Sequence, residues 1–174
     1  AERFGPEVLP SDLTGIIHRH TEGNPLFVVR VAEDLVQRKI LEEYDGQYVL
    51  SRELDQESVA LPESLRQFIA QQFTQLSDEE QNIIEAASVA GVEFSVAAVA
   101  ASIEQPLEEV ESHCAQLADR QHFLIDKGIT EWPDGTVAAR YTFIHALYQE
   151  VFYQRLTPNR RRSLHLRIGE HMEA

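Results

Sequence analysis

The chain has 174 residues, 43% of them apolar, and 15 Lys and Arg against 29 Asp and Glu give a net charge of −14. That length suits one ordinary domain or two small ones, and no run approaches the roughly 18 uninterrupted apolar residues of a membrane-spanning helix. The first 130 residues carry 9 basic against 24 acidic side chains and the remainder 6 against 5, a field that repels a phosphate backbone over most of the surface.

The segment from Phe4 to Pro10 is punctuated by Pro and Gly and reads as a linker or boundary. It has no basic-then-apolar signal pattern. Ser11 caps a short helix to about His20. Asn24 as N-cap and Pro25 at the first helical position open the next helix, because proline there loses only an N–H that lacks a partner anyway. Val28, Val31, Ala32, Leu35 and Val36 then repeat on one helical face. Ile40–Tyr44 and Tyr48–Leu50 flank Asp45-Gly46-Gln47, a pattern that predicts a small hairpin.

A third helix follows Pro62 with the stripe Leu65, Phe68, Ile69, Phe73 and Leu76. Ser77-Asp78-Glu79-Glu80 is a capping box, in which hydroxyl and carboxylate satisfy each other's backbone amides. The helix it opens carries Ile83, Ile84 and Ala87 and stops at Gly91. Val92–Phe94 predicts a short strand, Ser95 caps a short helix, and Pro106 opens another with Leu107, Val110, Cys114 and Leu117. Strands Phe123–Trp132 and Val137–Phe143 surround the turn Pro133-Asp134-Gly135. Helix, short strand, helix, helix, strand, wing, strand is the order of a winged helix inside a mainly α chain. Ile144, Leu147, Tyr148, Val151 and Phe152 make a further helical stripe, and Thr157-Pro158 restarts the chain into a last helix with Leu164 and Ile168.

A winged helix invites a DNA-binding reading, which the helix before the wing opposes. A major-groove helix needs Arg, Lys, Asn or Gln near its start. This one offers Glu108, Glu109, Glu111 and Asp119 with only Arg120 against them. DNA contact through the wing (Lys127, Trp132) or the C-terminal arginines is the alternative reading, and a protein-interaction module with Glu131–Gly135 as contact is another. The chain has no G-x-x-x-x-G-K-[ST] loop and no G-x-G-x-x-G, so it cannot cradle a triphosphate by itself, and no catalytic residue is assigned. His18 and His20 lie on opposed sides of a helix, and His113, Cys114 and His122 lack tetrahedral spacing, so no metal site is expected. Cys114 is the one cysteine, which excludes an internal disulfide, suits apolar packing and makes a reducing cytoplasm the natural compartment. Arg160-Arg161-Arg162 in the first turn of its helix opposes the macrodipole and reads as a solvated cluster.

The run His20-Thr21-Glu22-Gly23-Asn24-Pro25-Leu26-Phe27-Val28 resembles the G-x-P motif in the small helical lid of STAND-class AAA+ signalling ATPases. The resemblance continues in order. Leu61-Pro62-Glu63-Ser64-Leu65-Arg66 is similar to the link from lid to winged helix, and Leu76–Gln81 to the start of its first helix. Ala86–Phe94 is similar to the stretch that follows. Phe143-Ile144-His145-Ala146-Leu147-Tyr148 resembles the histidine motif of that architecture, with Ile144 and Ala146 where the immune receptors have Met and Asp. Arg161–His165 resembles the helix after it.

The resemblance implies a small helical lid with a hairpin over residues 1–61, a winged-helix domain over 62–157 and the start of a trailing helical region over 158–174. It implies that Gly23, Asn24 and Pro25 pack on the adenine of bound nucleotide, and that His145 touches the β-phosphate of ADP. The implied cofactors are ADP and ATP, held by the intact parent and not by this fragment. The implied partners are the P-loop core of the same polypeptide and further copies on activation. The fragment itself is then a non-catalytic regulatory piece.

Overall fold

In a computed structural model the described residues are 11–21, 23–44, 47–51, 63–120, 123–131 and 137–173. They are mainly helical, with eight helices and two small antiparallel sheets. The chain divides into two compact units, Ala1–Ile69 and Ala70–Ala174.

The first unit begins with α1 (Ser11–Thr21) and α2 (Pro25–Gln37), followed by the hairpin β1 (Leu41–Tyr44) and β2 (Gln47–Leu50). The hairpin pairs Leu41 with Leu50 and Tyr44 with Gln47. The expected turn residues Asp45 and Gly46 lie outside the described residues. Leu13, Ile17, Val31, Leu35, Ile40, Leu41 and Tyr48 form the core, with Val28 and Val36 half-buried at its edge. The helical stripe of α2 therefore buries its centre and wets its margins, as an amphipathic helix does. Lys39 takes a left-handed conformation (φ 55°) to end α2, and Ser51 closes the hairpin by donating from Oγ to the Lys39 and Ile40 carbonyls.

The boundary between the units falls within α3 (Glu63–Phe73). The second unit contains α4 (Asp78–Ala90), β3 (Glu93–Ser95), α5 (Val96–Ile103), α6 (Leu107–Asp119), β4 (Leu124–Glu131), β5 (Val137–Phe143), α7 (Ala146–Arg155) and α8 (Pro158–Glu173). Its sheet runs β3-β5-β4, all antiparallel, which is the winged-helix order. Glu93 pairs with Thr142, and Leu124 with Phe143. The wing tip, Trp132 to Thr136, lies outside the described residues.

Local chemistry sets these element ends. The capping box opens α4: Glu80 N–H donates to Ser77 Oγ at 3.2 Å and Ser77 N–H to Glu80 Oε2 at 3.0 Å. Ser95 caps α5 by accepting the Ala97 N–H at 3.2 Å. Glu104, left-handed at φ 56°, ends α5. The core gathers Ile83, Ile84, Val99, Val110, Cys114 and Leu117 with a ring cluster around Phe152, which meets Phe73 at 5.0 Å and Phe123 at 5.1 Å. Burial pushes the Cys114 thiol up to about 12, so it stays protonated and acts as an apolar group.

The arginine run at 160–162 departs from the solvated cluster expected of it. Arg160 donates to Asn82 Oδ1 of α4, and Arg161 donates to the Gln154 carbonyl at 2.9 Å with its guanidinium 4.6 Å from the centre of the Tyr153 ring. Arg160 and Arg161 are half-buried, and of the three only Arg162 is exposed. Further along, Arg167 donates to the Ser102 carbonyl at 3.1 Å, while Leu164 and Ile168 are buried. Arg160 fastens α8 to α4, Arg161 to α7 and Arg167 to α5, so these guanidinium groups act as clamps between helices.

Candidate functional site

The sequence points to two places, one in each unit. In the first, α1 ends at Thr21, whose buried hydroxyl donates to the Ile17 carbonyl at 2.8 Å. Asn24 N–H then donates to the Thr21 carbonyl at 2.8 Å, and the Asn24 carbonyl accepts the first bond of α2 from Val28 at 2.9 Å. Gly23 makes the corner possible with φ +77°, a conformation that L side chains rarely adopt. A Cβ there would also stand 3.4 Å from Nε2 of His18. The Pro25 ring is exposed at the first position of α2, while Phe27 is fully buried beneath. Gly23, Asn24 and Pro25 thus form one turn with a rigid apolar ring at the surface.

In the second unit, β5 delivers the chain directly to His145. The residue is extended (φ −150°, ψ 140°) and serves as N-cap of α7. Its Nδ1 accepts the Leu147 N–H at 3.0 Å, and its carbonyl accepts the Tyr148 N–H at 3.0 Å. A ring whose Nδ1 is an acceptor carries its proton on Nε2. The cap therefore fixes one tautomer and makes Nε2 a donor. His145 is 4% exposed, so that donor is held inside the protein.

Beside His145 lies a half-open cavity of about 630 Å³, lined by Ala118, Asp119, Leu124, Ile125, Asp126, Ile144 and Tyr148. Its two carboxylates have the wrong sign for a phosphate. No local pattern points to this cavity, because its walls come from α6, β4 and the β5–α7 junction.

Other expectations take simpler form. Glu108 and Glu109 of α6 are exposed and Glu111 is half-buried, an acidic face where a groove-reading helix would be basic. Among the described residues, no group of three or more His, Cys, Asp or Glu is placed to hold a metal ion. No helix there is long and apolar enough to cross a membrane. Reading the sequence missed Glu80 as a long-range partner: besides closing its own cap, it pairs with Arg120 of the turn after α6. Burial pushes the Glu80 carboxyl up, but the Ser77 N–H and the Arg120 guanidinium outweigh it and leave the group below its ordinary value.

A family model described as a domain of unknown function (DUF8739) matches residues 1–48, the stretch that takes in α1, α2, β1 and the Gly23–Pro25 corner. Neither the curated proteins nor the solved structures yield a match.

Proposed function

We propose that this chain is a regulatory, non-catalytic part of a multidomain signalling ATPase, a helical lid followed by a winged helix, which helps hold ADP and gates a closed-to-open switch. In this reading Gly23, Asn24 and Pro25 pack on the adenine, and His145 donates from Nε2 to the β-phosphate. The remaining phosphate contacts come from a P-loop core in the same polypeptide. Loss of the ADP contacts on exchange for ATP shifts the population towards an open, self-associating form.

The observation that carries the reading is the placement of His145. It stands at the junction of the last winged-helix strand and the next helix, with its proton fixed on the nitrogen that a phosphate needs. The start of α7 adds a positive dipole end, which also favours an anion. Titrating the 174-residue chain with ADP by calorimetry tests the division of labour. Without a phosphate-cradling loop, no heat above dilution is expected at ordinary concentrations, and tight binding would contradict the proposal.

A further inference from the structure

We propose that the cavity between α6, β4 and the start of α7 is a binding site for a small organic cation, an apolar body ending in an ammonium or guanidinium group. The cavity's volume, about 630 Å³, lies within the roughly 300–1,000 Å³ of small-ligand sites. Its floor is apolar and aromatic: Leu124 is buried, Ala118, Ile144 and Tyr148 are half-buried, and Ile125 is exposed at the rim. Tyr148 adds a ring, which favours a nearby cation, and a phenol hydroxyl.

Among the described residues that line the cavity, the charge has one sign. Asp119 is the last residue of α6, where helix carbonyls also favour a cation. Asp126 comes from β4 at a bulge, where its Oδ1 accepts the Gly128 N–H at 2.7 Å and the positive φ of Gly128 lets the chain double back. That bond orients the carboxylate and leaves its second oxygen for another donor. Arg120, next in the chain to Asp119, is engaged by Glu80 and the Gln116 carbonyl. Lys127 follows Asp126 on β4 and is exposed. Tyr141 registers the field: burial first, then Asp126 and, further down, Asp119 among the neighbouring groups push its phenol up to about 12. A neutral apolar guest would fill the floor and leave both carboxylates unused. An anionic guest would meet them head on.

Three probes of one shape test this: tryptamine, uncharged 3-ethylindole and indole-3-propionate, each titrated into the full chain while the methyl signals of Leu124, Ile125 and Ile144 are followed by NMR. Tryptamine should shift these signals saturably, with 3-ethylindole about three- to tenfold weaker and the propionate weaker still. The Asp119→Asn, Asp126→Asn double variant, whose exposed substitutions leave the core intact and whose fold is checked by circular dichroism, should bind tryptamine no better than wild type binds 3-ethylindole. Equal affinity for tryptamine and 3-ethylindole, undiminished tryptamine binding by the double variant, or no saturable shift of the three residues would each overturn the proposal.

Discussion

His145 Nδ1 accepts the backbone N–H of Leu147, two residues on and within the first turn of α7, at 3.0 Å. The bond makes the ring both a helix cap and a donor of fixed direction. A purely structural cap could equally be Ser, Asp or Asn. The imidazole differs from these by offering a second, opposed nitrogen, and the proposed ADP contact uses that difference.

Glu80 closes the α4 capping box and pairs with Arg120. Glu80→Ala should cost about 2 kcal/mol, roughly 1 from the cap and up to about 1 from a pair whose arginine is half exposed. Because the folded carboxyl titrates below the ordinary 4.5, its contribution is full above that value and is lost as the pH falls through the folded one. Urea denaturation of both proteins at pH 7 and pH 3 should show the gap narrowing at the lower pH. A gap that widens on acidification would show the sign to be wrong.

Cys114 is fully buried, with its thiol held at about 12. Reaction with a thiol-specific disulfide reagent at pH 8 should be slow in the native chain and rapid in denaturant, its native rate tracking opening of the second unit. Prompt stoichiometric labelling of the folded protein would show the packing of α6 to be looser than described.

Phe152 is the hub of the ring cluster, in contact with Phe73, Phe123, Phe143 and Tyr148. Phe152→Ala should destabilise the second unit by about 3–5 kcal/mol in denaturant melts. A loss under 1 kcal/mol would mean that the cluster does not organise that core.

Gly23 turns the chain from α1 to α2 at φ +77°. Gly23→Ala should destabilise the first unit by about 1–2 kcal/mol through left-handed strain. Amide exchange in α1 and α2 reads the effect, and unchanged protection would remove the conformational requirement at this corner.

Much of the fold was legible because its punctuation is local. Asn24-Pro25, Ser77 with Glu80, and Ser95 each state a helix start within a few residues, and the structure uses all three. The hairpins were legible from apolar runs around turn residues. What the sequence did not reveal depends on residues far apart in the chain. The Glu80–Arg120 pair and the bonds from Arg160 to Asn82 and from Gln149 to the Ser88 carbonyl join positions that no periodicity connects. The capping role of His145 had a local signal, a polar residue just ahead of Leu147 and Tyr148 in the stripe, but histidine is not among the usual caps. Phe123 at φ +67° had none, since an aromatic residue rarely takes that conformation.

The most direct test separates the two nitrogens of His145 by replacing it with asparagine, which can still cap α7. It is made in the longer polypeptide that the proposal requires, with this chain joined to its P-loop core, by measuring the release rate of bound ADP. A hydrogen bond to a charged phosphate is worth about 1.5–3 kcal/mol, so His145→Asn should speed release roughly ten- to a hundredfold while leaving the melting of the winged helix nearly unchanged. Release at the wild-type rate from a stably folded variant would contradict the account and leave His145 a helix cap alone.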